Sequence, residues 1–155
     1  MTNTNEPNRT ALEGLLSRLD ETRNLLVEAI GQAPAGSFDA EGAEGESIKH
    51  SLDRTIDDLN FYYGRLVARA LNLPQPPCLT RSDCGSLREA STALQVAHRR
   101  FTNLLHDIVP EDLSRTAADT ELGTFTLQQV LEMTVAQYRM REQQIQKLSA
   151  TARPA

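Results

Sequence analysis

Apolar residues along this chain recur at spacings of three and four, the period of helices buried on one face. Four stretches carry the pattern. In the first, from about Thr10 to Ile30, the stripe is Leu12, Leu15, Leu16, Leu19, Leu26 and Ile30. In the second, from about Ser47 to Leu71, it is Ile48, Leu52, Ile56, Leu59, Tyr63, Leu66 and Ala70. The third, from about Ser86 to Ile108, places Leu87, Ala90, Leu94, Ala97, Phe101, Leu104, Leu105 and Ile108 inward. The fourth, from Thr126 to Leu148, does the same with Leu127, Val130, Leu131, Thr134, Tyr138, Ile145 and Leu148. Thr10 with Glu13, Ser86 with Glu89 and Thr126 with Gln129 have the spacing of a capping box, in which two side chains satisfy the free amides of a helix start. Ser47 is the N-cap candidate of the second stretch. No alternating run rich in β-branched residues occurs, so no sheet is expected.

The connectors are long. Residues 31–46 are rich in Gly, Ala and acid. Residues 72–85 (NLPQPPCLTRSDCG) hold three prolines, cannot continue a helix, and are long enough to let the third helix run parallel to the second. Residues 110–125 open on Pro110-Glu111-Asp112, a favourable first helical turn. The expectation is an all-α chain: a single four-helix bundle over residues 10–148, up-down-down-up with a long crossover between helices two and three, flanked by disordered tails at 1–9 and 149–155.

Composition narrows the partners. The 155 residues, 39% hydrophobic and 24% charged, suit one domain with a real core. The net charge is −5, with both signs interleaved and no basic patch, which disfavours nucleic acid. No apolar run approaches the length of a membrane span, and the first residues, MTNTNEPNRT, lack the apolar core of a signal peptide. A cytoplasmic location is expected, with Cys78 and Cys84 as ordinary reduced thiols.

Candidate chemistry centres on helix four. Between Tyr138 and Ile145 its inward stripe is interrupted by Arg141, with Gln137 one turn earlier. Polar groups on such a face need a polar partner or a wet cavity. Two readings stay open: Arg141 snorkels to the bundle end or pairs with an acid such as Asp57 or Asp58, or it lines a pocket between helices that binds an anion or a polar small molecule. His50 and Arg54 stand one turn apart on the flank of helix two. His98 and His106 are too far apart for a helical ligand pair, and neither a paired His or Cys motif nor a Glu-x-x-His motif is present, so no metal or other cofactor is expected. No base is paired with either thiol, and no glycine-rich phosphate loop or Gly-x-Ser-x-Gly motif occurs.

Most of the chain resembles the DinB/YfiT-like bundles, a superfamily of bacterial proteins counted as metalloenzymes. The resemblance is carried by the first helix (ALEGLLSRLDETRNLLVEAI), by the Gly45 to Lys49 entry into helix two, by the long crossover before helix three, and by Gly123-Thr124-Phe125-Thr126-Leu127 leading into a helix that closes with Gln144-Ile145. It implies a metal held by three histidines, one on helix two and a His-x-x-x-His pair on helix four. Carried over by position, these fall on Arg54, Gln137 and Arg141, none of them histidine. A one-turn shift would place His50 in the first position but would not restore the helix-four pair. The resemblance also implies pairing of chains as homodimers. Three functions are therefore expected as alternatives. The first is a metal-free protein that binds a small molecule or anion through Arg54, Gln137, Arg141 and His50. The second is a thiol-dependent transferase or isomerase. The third is a homodimeric interaction module without a ligand.

Overall fold

The computed structural model describes residues 6–75, 80–119 and 123–152, and it is mostly helical. Helix α1 runs Glu6–Gln32. Helix α2, Ile48–Asp58, passes without a break through a π-helical turn, Leu59–Tyr63, into α3, Gly64–Ala70. Helix α4 covers Leu87–Asn103 and α5 covers Leu127–Ala152. Helix α1 packs against α4 and α5, and α2 packs against the same two. The apolar stripes meet in one core, with Leu19, Leu26, Leu52, Leu94, Phe101, Leu131, Tyr138 and Ile145 inside it.

The expected caps hold at three of four starts. The Ser47 hydroxyl accepts from the His50 amide at 3.0 Å. The Ser86 hydroxyl accepts from Glu89 N–H at 3.1 Å, while the Glu89 carboxylate reaches back to Gly85 N–H instead of Ser86. At α5 both halves of the box form: Gln129 N–H donates to the Thr126 hydroxyl at 3.1 Å, and Thr126 N–H donates to the Gln129 side chain at 2.9 Å. The first start lies elsewhere than the capping-box spacing predicts. Helix α1 begins at Glu6, so Thr10 and Glu13 lie inside it, and Glu6–Arg9 are helix, not tail. Likewise Ser149–Ala152, expected in the other tail, continue α5. Residues 1–5 and 153–155 lie outside the described residues.

Three further differences have local causes. Helix α4 stops at Asn103, five residues early. Val109 is extended before Pro110, as a pre-proline residue prefers, and residues 104–108 bridge to it through i→i+3 bonds. The second difference is a small sheet where none was expected. Thr116–Asp119 (β1) pairs antiparallel with Gly123–Thr126 (β2), Ala117 opposite Phe125. Each strand has four residues, too few for alternation to stand out. Gly123 takes φ 97°, open to glycine at no steric cost. Ala117 is buried, and Arg69 on α3 donates to the Ala118 carbonyl at 3.0 Å, which ties the hairpin down.

The third difference is the π-helical turn. Gly64 N–H donates to the Leu59 carbonyl five residues back. A Cβ at residue 64 would lie 2.7 Å from that oxygen. Such turns recur at functional positions within helices, and this one ends on Tyr63. The helix closes at Asn72 (φ 56°), with Leu73 N–H on Ala68 O and Asn72 N–H on Arg69 O, a Schellman cap.

Packing at Gly64 and at Phe101 sets two stability outcomes. In an ordinary helix Gly→Ala stabilises by up to about 1 kcal/mol; Gly64→Ala should instead lower the urea midpoint, because the methyl group meets the Leu59 carbonyl. A rise in midpoint would show that the π turn converts to α-helix at no cost. Phe101 is 1% exposed, so Phe101→Ala should cost about 3–5 kcal/mol. Replacing the exposed Arg99 by Ala should leave the midpoint almost unchanged.

Candidate functional site

Arg141 lies in the seam between α2 and α5, where 8% of its surface is exposed. Its place on the α5 stripe, one turn beyond Tyr138 and one before Ile145, turns it inward. One guanidinium nitrogen, Nη1, donates to Gln144 Oε1 at 3.1 Å, and the same oxygen accepts from the Ser51 hydroxyl at 3.0 Å. The Gln144 amide donates in turn to the Glu46 carboxylate. Glu46 is held in place by a Gly42 N–H bond to its own carbonyl at 2.7 Å, just before the α2 cap. The Nε of Arg141 is buried with no partner.

The acid expected to pair with Arg141 is engaged elsewhere. Asp58 accepts from Gln137 Nε2 at 2.6 Å. That bond fixes the amide and leaves Gln137 Oε1 buried, also with no partner; the residue is 7% exposed. Asp57 caps the crossover loop by accepting from Ser82 N–H at 2.8 Å. No ion pair to Arg141 forms among the described residues. The guanidinium pKa is lowered, first by burial and then by the charge of Arg54, while Asp58 and Glu46 oppose the shift. Asp58 and Gln137 lie at one end of the seam, Ser51 and Gln144 at the other, so α2 and α5 run antiparallel across it. Tyr63, delivered by the π turn, feels both Asp58 and Arg141, and burial pushes its hydroxyl up to about 12.

Three of the four candidate residues from the sequence therefore gather. Gln137 and Arg141 are buried on successive turns of α5, and the exposed Arg54 lies close enough on α2 for its charge to oppose that of Arg141. His50 does not join them. It is exposed and lines an adjoining cleft of about 400 Å³ with Glu41, Lys49, Asp53, Asp83 and Glu46, the last of which also belongs to the seam. Lys49 there bonds Asp53 at 2.9 Å and Asp83 at 2.6 Å. The site residues that the sequence pattern does not reveal are Glu46, Ser51, Asp58 as a partner of Gln137, and Gln144. Gln144 carries a signal nonetheless: it is three residues beyond Arg141 on the same face.

The donor set does not suit a metal. Two guanidiniums have no lone pair to give and do not deprotonate, which leaves one amide oxygen. No group of three or more His, Cys, Asp or Glu side chains converges as metal ligands do among the described residues. Nor is a nucleophile prepared. Ser51 donates to an amide oxygen instead of to a base. Burial, then Asp53, pushes the Cys84 thiol up to about 12, so it stays protonated and inert. Cys78 lies outside the described residues.

A second polar node is closed. His98, 3% exposed, bonds the Tyr138 hydroxyl through Nδ1 at 2.8 Å and the Asp20 carboxylate through Nε2 at 2.9 Å. A carboxylate only accepts, so Nε2 carries the proton and Nδ1 accepts from the tyrosine. The node ties α1, α4 and α5 together. His98 stands beside polar residues in the sequence, and its own position does not announce its burial. A buried tyrosine hydroxyl on a neighbouring stripe needs a partner, and that is the available signal.

Comparison with protein-family models, with curated proteins and with solved structures gives no match. No helix among the described residues is long and apolar enough to cross a membrane.

The closed node predicts a pH response. Burial lowers the His98 pKa, with the charge of Arg23 adding to it and Asp20 opposing it. The unfolded chain then binds a proton that the folded chain refuses. Stability is complete above the ordinary imidazole range and declines as pH falls through it, by at most about 1.4 kcal/mol per pH unit. Urea midpoints between pH 7.5 and 5, on the order of that range, should show this slope in the wild type and a flatter one in His98→Asn. Parallel slopes would remove His98 as the cause.

Proposed function

We propose that this chain is a metal-free binding protein for a small polar or anionic molecule, built as a DinB/YfiT-like four-helix bundle in up-down-down-up order. The observation that carries the reading is the buried Arg141. It holds a charge it cannot release, lacks a carboxylate partner, and keeps one buried donor unused beside an unused amide oxygen. A structural arginine would be expected to pair with Asp58, which lies in the same seam; here Gln137 occupies that carboxylate. The antiparallel pairing of α2 and α5 and the long crossover between α3 and α4 support the bundle order. Gln137 and Arg141 line this seam and the charge of Arg54 acts on it, which supports it as the place where arginines and an amide stand at the family's histidine positions.

Thermal unfolding with a panel of small anions and polar molecules tests this. A ligand that binds only the folded chain stabilises by RT ln(1 + [L]/Kd), about 2.7 kcal/mol at a hundredfold excess over Kd. At least one member of the panel should raise Tm in the wild type. Arg141→Met should keep the helical circular dichroism and lose that rise. If no compound shifts the wild type, and Arg141→Met is neutral or more stable, as when a buried charge is replaced by an apolar side chain, the arginine is a structural element and the binding reading fails.

A further inference from the structure

The seam offers complementary unused groups. On one turn of α5, Arg141 Nε is a buried donor without an acceptor; on the preceding turn, Gln137 Oε1 is a buried acceptor without a donor. Side chains four apart on a helix are neighbours, with Cβ atoms about 6 Å apart. One small molecule can therefore meet both, provided it brings an acceptor and a donor a few ångströms apart.

Charge decides which molecule. The two guanidiniums, Arg141 and Arg54, are matched by two carboxylates, Asp58 and Glu46, whose charges act on Arg141 without contacting it. The seam has no net charge to offer a free anion, and its carboxylates would repel one. The charges are also sorted. The charge of Arg54 on α2 acts on Arg141, whereas Asp58 is bonded to the Gln137 amide whose oxygen is unused. One part of the seam favours an acceptor bearing negative charge, and the other a donor bearing positive charge. A carboxylate takes two parallel bonds from a guanidinium, and an ammonium has three donors to spend on an amide oxygen and a carboxylate.

Resting on the reading of this seam as a binding site, we infer that its ligand is a small zwitterion of the α-amino-acid type, carboxylate on Arg141 and Arg54 and ammonium on Gln137 Oε1 and Asp58. Tyr63, half-buried at the end of the π turn and within reach of the charges of both Asp58 and Arg141, borders the place where the ligand's side chain would lie. Gly64 N–H closes that turn on the Leu59 carbonyl, and a Cβ at residue 64 would meet the same oxygen.

The test is thermal unfolding and calorimetric titration of the full chain with the standard L-amino acids, each beside its N-acetyl derivative, which lacks the ammonium, and its carboxamide, which lacks the carboxylate. At least one free amino acid should raise Tm dose-dependently, and both of its derivatives should lose the effect. Arg54→Gln changes an exposed position and leaves the core intact; it should weaken binding about tenfold, as loss of one charged contact does. Gln137→Leu should abolish the preference for the free over the N-acetylated form. If N-acetyl derivatives or inorganic phosphate stabilise as well as the free amino acid, the ligand is a plain anion: the zwitterion inference falls and the proposed function stands. If no free amino acid shifts Tm, the inference falls whatever simple anions do. If no small anion or polar molecule does either, the binding reading falls with it.

Discussion

A guanidinium that cannot discharge sits where water scarcely reaches, and the α2–α5 seam is arranged around that constraint. Neutralising a buried group is the usual escape from desolvation, and arginine lacks it. The charge must be met by dipoles and distant carboxylates. Gln144 supplies the dipole, and its own amide is satisfied by Glu46, so a residue of the loop before α2 helps to hold the arginine. Asp58 and Glu46 supply the opposing charge at a distance. The loop, the start of α2 and the second half of α5 are thereby joined by one polar chain along the side of the core.

The two polar nodes of this protein differ in a way that separates architecture from binding. In Asp20–His98–Tyr138 both ring nitrogens and the phenol hydroxyl have found partners, and the bonds run between three different helices, although the Nε of the neighbouring Arg23 is buried without one. Such a network locks the relative positions of its helices. The Arg141 node spans two helices and a loop and leaves a donor and an acceptor unspent. Buried groups left unpaired cost free energy, so a molecule that pairs both gains what the folded chain has forgone.

The π turn connects backbone geometry to that node. One residue more than an α-helical turn is accommodated between Leu59 and Gly64, and this rotates α3 relative to the face begun by Ile48 and Leu52. The charges of Asp58 and Arg141 act on Tyr63 at the end of this turn, and Leu66 and Ala70 beyond it lie in the core. A side chain at residue 64 would press on the Leu59 carbonyl, so this feature depends on a single glycine.

The sequence by itself determined which residues are inside. Helical periodicity identified most core positions, because burial of a stripe is a property of spacing along one helix, and the Ser47, Ser86 and Thr126 caps are equally local; it missed Phe38, Cys84, Leu113 and Ala117, which lie outside the α-helices, and Ala29, Val67 and Val135, which widen the stripes. It also marked Arg141 and Gln137 as inward-facing, since both stand on or beside an apolar stripe. Tertiary structure decided everything that required two elements to meet. That Asp58 bonds Gln137 and not Arg141, that Glu46 reaches Gln144, and that His98 is enclosed by Asp20 and Tyr138 depend on how helices far apart in sequence are placed, which no local pattern encodes. The hairpin at Thr116–Asp119 and Gly123–Thr126 was hidden because its strands are short and its support comes from α3. The π turn was hidden because its five residues still look helical; only the packed chain shows that Gly64 is there to make room for a carbonyl.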